Sequence, residues 1–100
     1  MAVQDIYRAL SDPTRRRILK LLQDGPLPAG EIASEFSIAW PSVSRHLGVL
    51  TNAGLVRSER NGQQLVYQLT TSVLMDIVTE LAELTRVGKA SENRNTGRTT

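Results

Sequence analysis

The stretch Pro41-Ser-Val-Ser-Arg-His-Leu47 carries the densest chemistry of the chain: two hydroxyls, a guanidinium and the only imidazole within about two helical turns. Hydroxyls both donate and accept, and a guanidinium presents a planar fork of donors that matches a phosphate or the acceptor edge of a guanine. A second set lies further on, where Arg57 and Arg60 lead into Asn61-Gly62. A third is the run Arg15-Arg16-Arg17. The first two sets suit an anionic or acceptor-rich partner; the run, on a helix, points three ways and cannot act as one patch, so at least one of its members is expected to be structural or paired with an acid. None of the three suits covalent chemistry.

What is missing narrows the choice. The 100 residues contain no cysteine and one histidine, His46, so a disulfide, a thiolate ligand and a histidine-rich metal site within one chain are excluded. No nucleophile is paired with a base, and no glycine-rich loop could cradle a phosphate, so an enzyme is not expected. The net charge of +2 announces nothing by itself. Its distribution does. Lys89, Arg94 and Arg98 against Glu92 supply the whole excess, and residues 1–87 are neutral. Within them, residues 1–24 and 37–70 each sum to +2 while 25–36 and 71–87 each sum to −2. A basic middle followed by an acidic last segment separates a face for an anionic partner from a face for something else.

These groups need elements to position them. Val3, Ile6, Tyr7 and Leu10 form the stripe of a short amphipathic helix. Asp12-Pro13 supplies an N-cap and a first helical residue for a second helix, expected to run to about Gln23 before Gly25-Pro26. A third is expected over Ala29 to Phe36, with Ile32, Ala33 and Phe36 inward. A fourth begins near Trp40-Pro41 and runs to Asn52, with Val43, Leu47 and Leu50 inward and Gly54 placed to cap it. The period then changes. Leu55 to Arg60 and Gln63 to Leu69 read as two strands joined at Asn61-Gly62, a strong hairpin signal. Val73, Leu74, Ile77, Leu81 and Leu84 return to helical spacing, predicting a helix from Ser72 to Val87. Residues 88–100 read as a polar, disordered tail outside a single domain of residues 1–87.

Helices, a hairpin and a closing helix, in that order, describe a winged helix-turn-helix: mainly α with a two-stranded β-hairpin. Ala9-Leu-Ser-Asp-Pro-Thr-Arg-Arg-Arg-Ile-Leu19, Gly30-Glu-Ile-Ala33, Pro41 to Leu47, Leu50, Ala53-Gly-Leu-Val56 and Asn61-Gly62 through Tyr67 together resemble the ArsR/SmtB-type bacterial repressors. The resemblance covers residues 3–86. It implies a homodimeric, DNA-binding transcriptional repressor that reads a palindromic operator through the major groove. The third and fourth helices would form the helix-turn-helix and the hairpin the wing. The alternative is a winged-helix interaction module that has lost specific DNA binding.

The residue chemistry fits that expectation. With Val43, Leu47 and Leu50 inward, Pro41, Arg45 and Asn52 point outward, flanked by Ser42 and Gly48. Arg45 can pair with a guanine or a phosphate, and Ser42 and Ser44 with either. Arg57, Arg60 and Asn61 would meet phosphates or a narrow minor groove. Trp40 is unusual, since similar repressors carry a polar residue there and a serine at the position of Ala39. It could pack on a thymine methyl or sugar edge, or against the neighbouring helix. His46 lies beside the apolar stripe, as a half-buried hydrogen-bonded imidazole or as a phosphate donor.

Val3, Ile6, Tyr7 and Leu10, with Leu74, Ile77, Leu81 and Leu84, offer a two-fold interface. Asp76, Glu80 and Glu83 read as a solvated acidic side. Family metal sites do not carry over: Pro28, Ala29 and Gly30 stand where many members have cysteines, and the last helix has no histidine. The resemblance is nearest to the metal-independent members, including the sporulation-delaying autorepressor type, so no cofactor is expected and any effector is unassigned. The start Met1-Ala2-Val3-Gln4-Asp5 lacks signal-peptide features, and a cytoplasmic location is expected.

Overall fold

The computed structural model describes residues 3–86, and the expected tail over 88–100 lies outside them. Helix α1 (Val3–Leu10) leads through Ser11-Asp12 into α2 (Pro13–Leu21). The start of α2 follows from two residues. The Asp12 carboxylate accepts from the Arg15 backbone N–H at 3.1 Å, and Pro13 supplies a preset φ where no donor is needed. Its last turn tightens into a 3-10 turn at Leu22–Asp24, so the α-helix is shorter than its periodicity suggests. Helix α3 (Ala29–Ala33) is also short, stopping before Phe36.

Helix α4 (Trp40–Asn52) ends as expected. Gly54, at φ 79°, lets its own N–H reach Thr51 O at 2.9 Å and the Leu55 N–H reach Leu50 O at 3.0 Å. That pair of bonds closes the helix in a Schellman motif and turns the chain into the sheet. Strands β2 (Val56–Asn61) and β3 (Gln64–Leu69) form the hairpin, with Asn61 opposite Gln64. The connection therefore consists of Gly62 and Gln63, one residue later than Asn61-Gly62. Only Gly62 has a positive φ, 68°, as a type II′ turn requires.

The sheet also has a third strand that sequence reasoning does not anticipate. β1 (Leu27–Pro28) pairs antiparallel with β3, Leu27 opposite Tyr67, giving the order β1-β3-β2. Pro28 is tolerated because β1 is an edge strand. Helix α5 (Thr71–Leu84) closes the fold, ending before Val87.

One core joins these elements. Ile18, Ile32, Val43, Leu47, Leu50, Leu55 and Val56 are fully buried, with Ile6, Ala9, Leu19, Leu22, Ala53, Val73 and Ile77 completing the cluster. Each such aliphatic side chain contributes about 1.5–3 kcal/mol by leaving water. The core therefore fixes the outward face of α4 from behind.

The Asp12 cap has a measurable consequence. Burial pushes its carboxyl up, but the Arg15 backbone N–H, the charges of His46 and Arg15, and the Thr14 backbone N–H outweigh that and hold it below its usual 3.8. A carboxylate depressed in the folded state stabilises fully above its unfolded value, and that contribution disappears as pH falls through the lower folded value. Asp12→Ala should cost about 1 kcal/mol at neutral pH, as removal of a capping side chain does. Asp12→Asn, which still caps, should remove this acid-sensitive part. Thermal melts of the three proteins from neutral pH to below pH 3.8 check the sign; equal pH dependence in wild type and Asp12→Asn contradicts it.

Candidate nucleic-acid interface

Three consecutive arginines at the start of α2 look like a basic patch and are not one. Helical rotation sends them three ways, and each is used within the protein. Arg15 donates from Nε to Ala9 O at 2.8 Å and from Nη2 to Arg8 O at 3.0 Å. Arg16 donates to Leu10 O at 2.7 Å. Together they satisfy carbonyls that the end of α1 leaves without intrahelical partners. Arg17 reaches Glu35 O at 3.3 Å and lies 4.9 Å from the Phe36 ring centroid, tying α2 to the segment after α3.

Arg15 has a third bond, Nη1 to His46 Nδ1 at 3.1 Å. An arginine can only donate, so in this bond Nδ1 accepts and the proton sits on Nε2; a protonated ring gives the bond up and faces the Asp12 carboxylate as a charge. The His46 side chain is 19% exposed and also lies 3.9 Å from Asp12 Oδ2. His46 is thus held against α2 as a half-buried, hydrogen-bonded imidazole.

Arg45, Arg57 and Arg60 are exposed, as Arg16 and Arg17 are, but unlike the run they take part in none of these bonds among the described residues. Arg45 projects from the face of α4 opposite Val43, Leu47 and Leu50. Pro41 and Asn52 share that face, and Gly48 leaves it low, with open space where a Cβ would stand. Ser44 is exposed and Ser42 half-buried. Arg60, opposite Leu65, and Asn61 stand at the wing tip, while Arg57, opposite Gln68, lies further back along β2.

Trp40 is 51% exposed and lines an open cleft of about 370 Å³ with Pro28, with Ala29 and Gly30 of α3, and with Arg60, Gln63, Gln64 and Leu65 of the hairpin. The cleft brings the start of α4 to the wing, so two site elements separated by about twenty residues of sequence form one surface. Gln63 and Gln64 belong to this surface and escape the sequence reading; their place at the hairpin tip is the available signal. Ala39 caps α4 with φ −65° and ψ 147° but without a side-chain bond.

The other face lies on α1 and α5. Ile6 and Ile77, expected at a subunit interface, are 3% and 4% exposed within the protomer's own core. Leu10 and Leu74 are half-buried against that core. Val3, Tyr7, Leu81 and Leu84 stay exposed, together with Met75 and Val78, which lie off the stripe read from sequence. The Tyr7 hydroxyl donates to Glu80 Oε1 at 2.8 Å, and that bond to a carboxylate raises the phenol above its usual value. Among the described residues no group of acidic side chains and histidine is placed to hold a metal ion, and no helix is long and apolar enough to cross a membrane.

A short helix and turn leading into a helix with one exposed face, beside a hairpin wing with exposed arginines, define a DNA-binding winged helix-turn-helix. Residues 10–59 match the family model described as a helix-turn-helix domain. The chain is 45% identical over 76 residues to the transcriptional repressor SdpR of Bacillus subtilis (strain 168), covering 76% of this chain and 84% of that one. Among solved structures, an ArsR family transcriptional regulator superposes with a TM-score of 0.79 at 31% identity, covering 83% of this chain and 91% of that one. The transcriptional repressor BigR from Xylella fastidiosa superposes with a TM-score of 0.65 at 30% identity, covering 85% of this chain and 87% of that one. The chain belongs to the ArsR family of winged helix-turn-helix transcriptional repressors. It is a DNA-binding regulator, not an enzyme.

Proposed function

We propose that the chain acts in the cytoplasm as a homodimeric repressor, placing α4 of each protomer in the major groove of one half of a palindromic operator. The observation that carries this reading is the division among the arginines. Each arginine of the run bonds to a backbone carbonyl of the protein itself, whereas Arg45 and Arg60 take part in no such bond among the described residues and stand exposed where α4 and the wing face outward. Arg45, supported by Pro41, Ser42 and Ser44, reads bases; Arg57, Arg60 and Asn61 meet the backbone. The apolar patch of Val3, Tyr7, Met75, Val78, Leu81 and Leu84 meets its two-fold copy.

The test is selection of a duplex from a random-sequence pool, followed by titration at several salt concentrations. A palindromic consensus bound by two protomers supports the proposal. A dimer that binds no duplex even at low salt would instead support an interaction module. Within the same experiment, Arg60→Ala should weaken specific and non-specific binding alike. It should also lower the slope of log affinity against log salt by about one unit for each phosphate no longer neutralised. An unchanged slope would leave Arg60 as ordinary solvated surface.

A further inference from the structure

We infer that Trp40 reads the C5-methyl group of one thymine in each half-site, and so sets part of the sequence preference; this rests on the DNA-binding reading above. The segment that opens the recognition helix is Ile38-Ala39-Trp40-Pro41, and its chemistry is apolar. Ile38 is 42% exposed, and Trp40 is half out of the protein. Ala39 offers no side-chain donor at the cap, and Pro41 has no backbone N–H. The first turn of such a helix normally meets base edges. Beyond the indole Nε1–H and the half-buried Ser42 hydroxyl, that turn can do little by hydrogen bonding.

An apolar surface brought to the major groove has one apolar group to meet on the base pairs: the methyl of thymine. The indole stands in the cleft beside Arg60 and Leu65 of the wing. A base edge seated against it therefore lies near the backbone that the wing follows, while Arg45 projects more than a turn further along α4. The exposed indole is a large apolar area that the isolated protomer leaves in water, and a thymine methyl covers part of it.

The experiment takes the duplex selected with the wild-type protein and replaces its thymines one at a time by deoxyuridine. This removes the methyl and keeps every hydrogen-bonding group. One position per half-site should weaken binding about fourfold, the factor corresponding to about 0.8 kcal/mol for one buried methyl-sized group. Substitution in both half-sites should cost about sixteenfold. Trp40→Ser should bind thymine and deoxyuridine duplexes equally, with an unchanged thermal melt because the side chain lies outside the core. The wild-type deoxyuridine series stands independently of how that variant folds. Wild-type binding that no deoxyuridine weakens overturns the inference, as does methyl sensitivity that persists in Trp40→Ser. The first of these is also the result for an indole resting on a sugar. A pool that yields no enriched duplex overturns the DNA-binding reading itself, and Trp40's role with it.

Discussion

Leu81→Asp should convert the proposed dimer into folded monomers. Leu81 is 44% exposed in the protomer and lies outside its core cluster, so an aspartate there leaves the fold intact. In a two-fold interface the substitution acts twice, placing a carboxylate on both sides of an apolar contact with Met75, Val78 and Leu84. An unpaired charge buried this way costs about 3 kcal/mol or more, so two weaken association by about ten-thousand-fold. Sedimentation velocity at micromolar concentration should show a monomer with native circular dichroism. A variant that sediments as the wild-type dimer removes α5 from the interface.

Arg45→Ala should produce the largest change in sequence preference. A bidentate contact between a guanidinium and a guanine edge discriminates by about 1–3 kcal/mol, so affinity should fall roughly fivefold to 150-fold per half-site. One base pair per half-site should cease to matter while the others keep their effect. Arg45→Lys should not restore the preference, because an ammonium lacks the planar fork. The contrast with the wing is diagnostic, since removing the Arg60 side chain should weaken all sequences together. Affinities for the operator and its single-base variants decide the matter. Unaltered preference in Arg45→Ala would make Arg45 a backbone contact.

Local signals make most of the frame legible. Asp12-Pro13 marks the start of α2 because a cap and a preset φ act within four residues, and Gly54 marks the end of α4 for the same kind of reason. Strand β1 escapes because it has two residues and exists only through pairing with β3, some forty positions away. The hairpin slips by one because Gly62 can serve either as second residue of an Asn-Gly turn or as first residue of the turn observed. Periodicity reveals the apolar stripes of α1 and α5, yet it cannot say whether a stripe is covered by the same chain or another. Ile6 and Ile77 therefore read as interface residues from spacing alone, although their own core takes them. The width of the apolar arc, which includes Met75 and Val78, is the better guide. Arg45, Arg57 and Arg60 are distinguishable from the arginine run because three neighbours on a helix cannot share a face. Only the structure shows what each arginine of the run holds.

The Arg15 guanidinium bonds to the last carbonyls of α1 and to the imidazole of α4, joining a helix on the partner side to the helix on the DNA side. Such a rivet works like the joint of a caliper, fastening the reading helix of a protomer to the helix that carries its proposed interface. In the proposed dimer the gap between reading heads then follows from the interface geometry. Inserting one base pair between half-sites moves one of them by about 3.4 Å along the duplex axis and about 35° around it. Affinity of the proposed dimer should fall on such an insertion, its caliper measuring the length between half-sites as well as reading their letters.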